Sequence, residues 1–274
     1  MTKEQKTPSF KELEREGWHR NAPYYDQRAG KLTRVATDQL LKAVRAEAGQ
    51  RLLDVCCGPG YGAGAAAERG LTGVGVDLAP AMVIEARRRF PAAEFHEGDA
   101  EALSFPDASF DAVICPFGLV HLPEPTKGMA EAFRVLKLGG RYAFTTWCMP
   151  ERAELLSIAL NAIRAHADMT VPLPPAPSIF VYSEPATGKE ALERAGFRDV
   201  SVEDVLITYE GQVPEDVFDW LEKSTVRTME LFRLQTADVQ ARIRQAILDG
   251  ASAYQTGGRL EIPCHAMVYA ARKP

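Results

Sequence analysis

Three aspartates, one histidine and a run of glycines carry the chemistry this sequence could perform. In "LLDVCCGPGYG" (residues 52–62) an apolar run reaches Asp54, passes two cysteines and breaks into Gly58, Gly60 and Gly62. Glycines at alternate positions let the backbone turn sharply and lie close to a ligand. Asp77 closes the next apolar run, "TGVGVD", 23 positions after Asp54. A carboxylate at such a strand end can accept hydrogen bonds from both hydroxyls of a ribose, which points to a nucleoside. Asp99, just after a third short run, suits an adenine-type amino group. His121, in "FGLVHLPEP" beyond a fourth run, is the histidine best placed to take a proton from a bound molecule. His19, His96, His166 and His265 follow no strand aimed at the same place. Alone, the glycine loop would serve a dinucleotide equally well.

The elements that must position these residues follow from periodicity. Apolar residues at helical spacing predict a helix over 31–48 with Gly49 as its stop. Strand "RLLDVC", a helix from "YGAGAAAERG", strand "TGVGVDL", a helix over 81–90, short strand "AEFHEG", strand "FDAVICPF", a helix over 126–138 and strand "RYAFTTW" come next. Strands separated by helices of about ten residues indicate a parallel, doubly wound α/β sheet with helices on both faces. Ligands of such sheets bind beyond the carboxyl ends of the strands, where strand order reverses. After Trp147 the rhythm changes: an amphipathic helix runs into the proline-rich "VPLPPAPS", and "PEDVFDWLEKSTVRTMELFRL" and "TADVQARIRQAILDGASAY" read as two further helical stretches. The expected organisation is an N-terminal helical lid (1–50), a core (51–147), a first cap insertion (148–184), core (185–210), a second helical cap (211–260) and a final core strand (261–274).

Composition narrows the partners. The 274 residues are 46% hydrophobic and 25% charged, with a formal net charge of −5 and both signs interspersed. That balance disfavours nonspecific binding to nucleic-acid phosphates and fits small neutral or cationic molecules. No apolar stretch approaches the roughly 20 residues of a membrane span, and the polar opening "MTKEQKTPSFKELEREGW" lacks a secretory signal, so the expected location is cytoplasmic, with no membrane partner. The five cysteines show neither a disulfide framework nor a zinc spacing, so no metal is expected. Oligomeric state is left open.

The succession "LLDVCCGPGYG", "GVGVDLAPAMV", "GDAEALSFPDASFDAVICPFGLVHL" and "AFRVLKLGGRYAFTTW" resembles class I S-adenosylmethionine-dependent methyltransferases, in the branch near the ubiquinone and menaquinone biosynthesis methyltransferases. The resemblance covers residues 52–147 strongly and the insertions poorly. It implies a Rossmann-like sheet of seven strands, the last antiparallel and formed by "HAMVYAA". It implies that Asp54 and the backbone of Cys56, Gly58 and Gly60 hold the methionine part of the cofactor, and that Asp77 binds its ribose. Leu78 and Met82 would flank the adenine, Asp99 and the backbone of Ala100 would read its edge, and Cys115 with Phe117 would line the sulfonium side. One departure is Cys56, where the family usually has glycine; a positive φ there would be strained. Asp54 beside the loop suits an ammonium group better than a pyrophosphate, which turns the choice from a dinucleotide to S-adenosylmethionine.

The expected reaction is methyl transfer to a small aromatic or lipophilic metabolite at oxygen or carbon, in which the protein aligns the reactants and keeps water away. His121 is the candidate general base. Trp18, Tyr24 and Tyr25 are aromatics of an N-terminal lid; Tyr25 is the tyrosine favoured at the methionine end, with Tyr24, His121 and Trp147 at the acceptor pocket. Val217, Phe218, Leu221, Met229, Leu231, Phe232 and Leu234 supply an apolar cap inventory. The alternatives are transfer to nitrogen or RNA, which would want a basic, aromatic-bearing surface, and a non-catalytic protein that binds S-adenosylmethionine.

Overall fold

The structure, a computed structural model, describes residues 8–274; the first seven residues of the polar opening stretch lie outside the described residues. Ser9 starts α1 (Phe10–Asn21). Its hydroxyl accepts from the Glu12 amide while the Glu12 carboxylate accepts from the Ser9 amide, a reciprocal cap. A 3-10 turn over Ala22–Gln27 leads to α2 (Ala29–Thr33) and α3 (Val35–Ala43). The single helix expected over 31–48 is therefore two. The Thr33 hydroxyl donates back to the Ala29 carbonyl at 3.2 Å, a local bond that competes with helix continuation, and the second helix stops before Arg45, whose φ is 52°.

The alternating core comprises β1 (Arg51–Val55), α4 (Tyr61–Glu68), β2 (Thr72–Asp77), α5 (Pro80–Arg89), β3 (Glu94–Glu97), β4 (Phe110–Cys115), α6 (Pro125–Val135) and β5 (Leu136–Trp147). Here the helix expected to reach residue 138 ends earlier, because Leu136 already pairs with Phe110 across β4 and β5. The remainder is α7 (Glu154–His166), α8 (Pro185–Arg194), β6 (Arg198–Gly211), α9 (Glu215–Ser224), α10 (Arg227–Arg233), α11 (Ala237–Ser252), β7 (Gln255–Thr256) and β8 (Arg259–Arg272). The stretch read as one helix from "PEDVF" to "LFRL" is α9 and α10, separated where the Thr225 hydroxyl bonds the Leu221 carbonyl.

One sheet runs β3-β2-β1-β4-β5-β8-β6, with the short β7 paired to β8. The first five strands are parallel, and β8 is antiparallel to both β5 and β6. The last strand is thus antiparallel as the resemblance implied, beginning at Arg259, and the main path has the seven strands expected, with the two-residue β7 as an eighth among the described residues. Alternation along β1 divides the core. Leu53 and Val55 join Met129, Val135, Tyr142 and Phe144 on one face, while Leu52 joins Leu40, Leu41 and Ala66 on the other. At Gly73 an added Cβ would lie 2.1 Å from the Ala63 carbonyl oxygen, so α4 rests directly on the β2 backbone.

Leu260–His265 of β8 pair with β6 beyond the end of the β5 pairing, forming an extension of the sheet. Ile207, Tyr209, Ile262 and Cys264 of this extension pack with Leu155, Ala159, Val217, Leu221, Ile243 and Ile247 of α7, α9 and α11. The cap is thereby held over one end of the sheet. No helix among the described residues is long and apolar enough to cross a membrane.

Candidate active site

Strand order reverses between β1 and β4, since β2 and β3 lie to one side and β5 to the other. Beyond the carboxyl ends of these strands lies a cavity of about 180 Å³, with a second of about 20 Å³ beside it. Cys56, Asp77, Leu78, His121 and Leu122 border both. The smaller chamber is edged by Gly98, Asp99 and Ala100. Tyr25, Phe117, Trp147, Leu156 and Trp220 make much of the larger one apolar.

Asp77 organises the floor. Its Oδ2 accepts from the Gly58 amide at 2.8 Å and its Oδ1 from the Ala79 amide at 2.9 Å, tying the glycine loop to the start of α5. Burial raises the Asp77 carboxyl, while those two amides and nearby His121 pull it back. Gly58 has a φ of 52°, and a Cβ there would face the Tyr25 ring at 3.8 Å. Cys56 also has a positive φ, 56°, the strained case for a residue with a side chain. Its thiol is pushed well above the ordinary value, first by hydrogen bonding with Cys115 and then by burial, so it stays protonated.

Asp54, the expected ammonium partner, lies beneath the loop and borders neither chamber. It is fully buried on the Leu52 side of β1, and its Oδ2 accepts from the Ala63 amide at 2.9 Å, holding the first turn of α4. Gly62 is needed beside it, because a Cβ would come within 2.5 Å of the same oxygen. Burial pushes the Asp54 carboxyl up to about 7, and its Oδ1 has no hydrogen-bond partner. Gly60 caps α4 with a φ of 90° and turns toward Phe95 and Ala86, away from the cavity. Cys115 is fully buried under Gly118, and Tyr24 is 48% exposed beneath the Lys223 ammonium; neither borders a cavity.

The other expected residues come together. Tyr25, Cys56, Gly58, Asp77, Leu78, Met82, Phe117, His121 and Trp147 border the larger chamber, and Asp99 and Ala100 the smaller. The Phe117 and Trp147 rings stack at 4.2 Å, with the Phe117 amide donating to Thr145 Oγ1 at 2.8 Å. Burial pushes the Tyr25 phenol up to about 12, so it offers a hydrogen-bond donor rather than a base. Of the cap inventory, Leu221 borders the chamber while Val217, Phe218, Met229 and Leu231 pack within the cap core.

Sequence reasoning expected an N-terminal helical lid but did not single out the charged side chains by which α1 meets the site. Lys11 pairs with Asp99 and Glu101, each at 2.5 Å, and Arg15 with Glu97 at 3.1 Å. Asp99 therefore carries a lysine on Oδ2 and the Glu101 amide on Oδ1. Glu14 Oε2 lies 2.9 Å from both Trp18 Nε1 and His121 Nδ1. The signal was present in Ser9 and Glu12 as a capping pair, followed by Phe10, Leu13 and Gly17 at helical spacing.

Residues 53–144 match the methyltransferase domain family. A demethylmenaquinone methyltransferase of Renibacterium salmoninarum is 38% identical over 150 residues, 52% of this chain and 61% of that one. One from Clavibacter sepedonicus is 40% identical over 134 residues, 46% and 54% of the two chains. The chain thus spans little more than half the length of these relatives. Among solved structures, the phosphoethanolamine N-methyltransferase 2 of Haemonchus contortus with S-adenosylhomocysteine superposes with a TM-score of 0.53 at 22% identity, covering 87% of this chain and 52% of that one. The [4+2]-cyclase SpnF superposes at 0.56 with 21% identity, covering 88% and 81%. Residues 53–144 thus carry a methyltransferase domain, on a fold shared with methyltransferases of known structure. Over that stretch the core is similar to those of demethylmenaquinone methyltransferases.

Proposed function

We propose that this protein transfers the methyl group of S-adenosylmethionine to oxygen or carbon of a small aromatic or lipophilic acceptor, with a quinol-like ring as the leading class. The observation that carries this reading is Asp77, a carboxylate at the seam between a small polar-edged chamber and a larger aromatic one. The residues fit the cofactor. Asp99 and the Ala100 amide would meet an adenine, Leu78 and Met82 its faces, and Asp77 the ribose. Gly58 leaves room for the amino-acid tail, and the faces of Tyr25, Phe117 and Trp147 suit a cationic sulfur.

When bound, S-adenosylmethionine supplies an already activated methyl group. The chain's own work is alignment and exclusion of water. Trp147, Leu156 and Trp220 form apolar walls that hold a flat acceptor and keep water out. His121, at the seam, is the base that takes the acceptor's proton. Calorimetry with S-adenosylmethionine and S-adenosylhomocysteine, followed by transfer of a labelled methyl group to a panel of hydroquinones and phenols read by mass spectrometry, tests the reading. Micromolar binding and a methylated product are expected. Absence of binding of both nucleosides would defeat it.

A further inference from the structure

His121 is held by a residue far away in the chain. Glu14 is 3% exposed, and its Oε2 receives the Trp18 indole N–H at 2.9 Å and stands 2.9 Å from His121 Nδ1. The Trp18 ring meets the His121 ring edge-on at 5.1 Å, fixing the plane of the imidazole. A carboxylate only accepts hydrogen bonds, so the proton of a neutral His121 belongs on Nδ1, which leaves Nε2 with a free lone pair. His121 borders both chambers, and the carboxyl of Asp77 feels its charge.

We propose that Glu14 is a positioning residue for methyl transfer: it fixes the His121 tautomer and balances the charge that forms there, so that the N-terminal helix completes the active site. The proposal rests on the transfer reading given above. In the step, the acceptor's O–H or acidic C–H gives its proton to His121 Nε2 and its electron pair to the methyl carbon. The carbon–sulfur bond breaks with its electrons going to sulfur, which becomes a neutral thioether. His121 becomes an imidazolium facing the Glu14 carboxylate and later returns its proton to water. Docking of α1 does not depend on Glu14, because Lys11, Arg15 and the close seat of Gly17 on Val226 hold the helix separately.

The test uses the full chain with nitrogen-15-labelled histidine, wild type, E14A and E14Q. Long-range proton–nitrogen spectra at a pH where His121 is neutral are expected to show wild-type His121 protonated on Nδ1. E14A should populate the Nε2-protonated form. E14Q keeps an accepting oxygen and so the tautomer, but loses the charge. Its kcat with a reduced naphthoquinone is expected to fall about ten- to hundred-fold, with KM for S-adenosylmethionine within about threefold of wild type. A wild-type His121 carrying its proton on Nε2 overturns the proposal, and so do wild-type kcat values in both variants. The tautomer is read without any acceptor, so a failure to bind or transfer would count against the transfer reading, separately from the role of Glu14. Should E14A not fold, E14Q carries the kinetic test.

Discussion

Replacing Asp77 by alanine tests the floor of the site. Two backbone amides, those of Gly58 and Ala79, donate to its carboxylate at 2.8 and 2.9 Å. Hydrogen bonds to a charged group contribute about 1.5–3 kcal/mol each, so the pair amounts to roughly 3–6 kcal/mol. Water entering from the cavity can replace part of this. The expected loss of unfolding free energy is then about 2–4 kcal/mol, or roughly 5–15 °C in Tm for a chain of this size. Affinity for S-adenosylmethionine should fall further, by about 1–3 kcal/mol for the ribose bonds alone. Urea denaturation of the ligand-free protein isolates the first effect and calorimetry adds the second. If D77A unfolds at the wild-type urea concentration without ligand, the carboxylate does not hold the loop, and the reasoning fails. If stability drops while affinity holds, Asp77 is a loop anchor that leaves the ribose alone.

Three further outcomes follow from single contacts. Gly73→Ala would drive a methyl group into the Ala63 carbonyl, and a loss of at least about 3 kcal/mol is expected; near-wild-type denaturation would show that α4 shifts freely. Cys56→Gly should be about 1 kcal/mol more stable than Cys56→Ala, because only the alanine keeps a Cβ at a φ of 56°, and an equal or reversed ranking in urea removes the strain argument. For Asp54, whose carboxyl is pushed up to about 7, the folded state holds the proton more tightly than the unfolded chain. Stability from this group is therefore greatest below about pH 4 and declines through the folded value near 7, by up to about 4 kcal/mol in all. Subtracting the denaturation profile of D54N from that of wild type between pH 5 and 8.5 should expose that slope, and parallel profiles would contradict it.

Much of the core could be read from the chain because its signals are local. The glycine loop after β1, Asp77 at the end of β2 and Asp99 after β3 each follow from a strand that stops where the cavities begin. The burial of Asp54 follows from the strand that carries it. Alternation puts it on the face of Leu52, under α4, whereas Leu53 and Val55 point to the other side. The helix over 126–138 was overextended because helical spacing continues through Leu136, and only pairing with Phe110 pulls that residue into β5. The meeting of Glu14 with His121, 107 residues apart, leaves no periodic trace, since it arises from how α1 lies across the finished sheet.

Salt concentration reaches this site through its roof. The Lys11 and Arg15 contacts that fasten α1 lie at a partly solvated rim, where dissolved ions damp attraction over about 8 Å at physiological strength. The hold of α1 on its neighbours is thus tuned by the surrounding electrolyte, while the buried Glu14 contact beneath stays insulated from it.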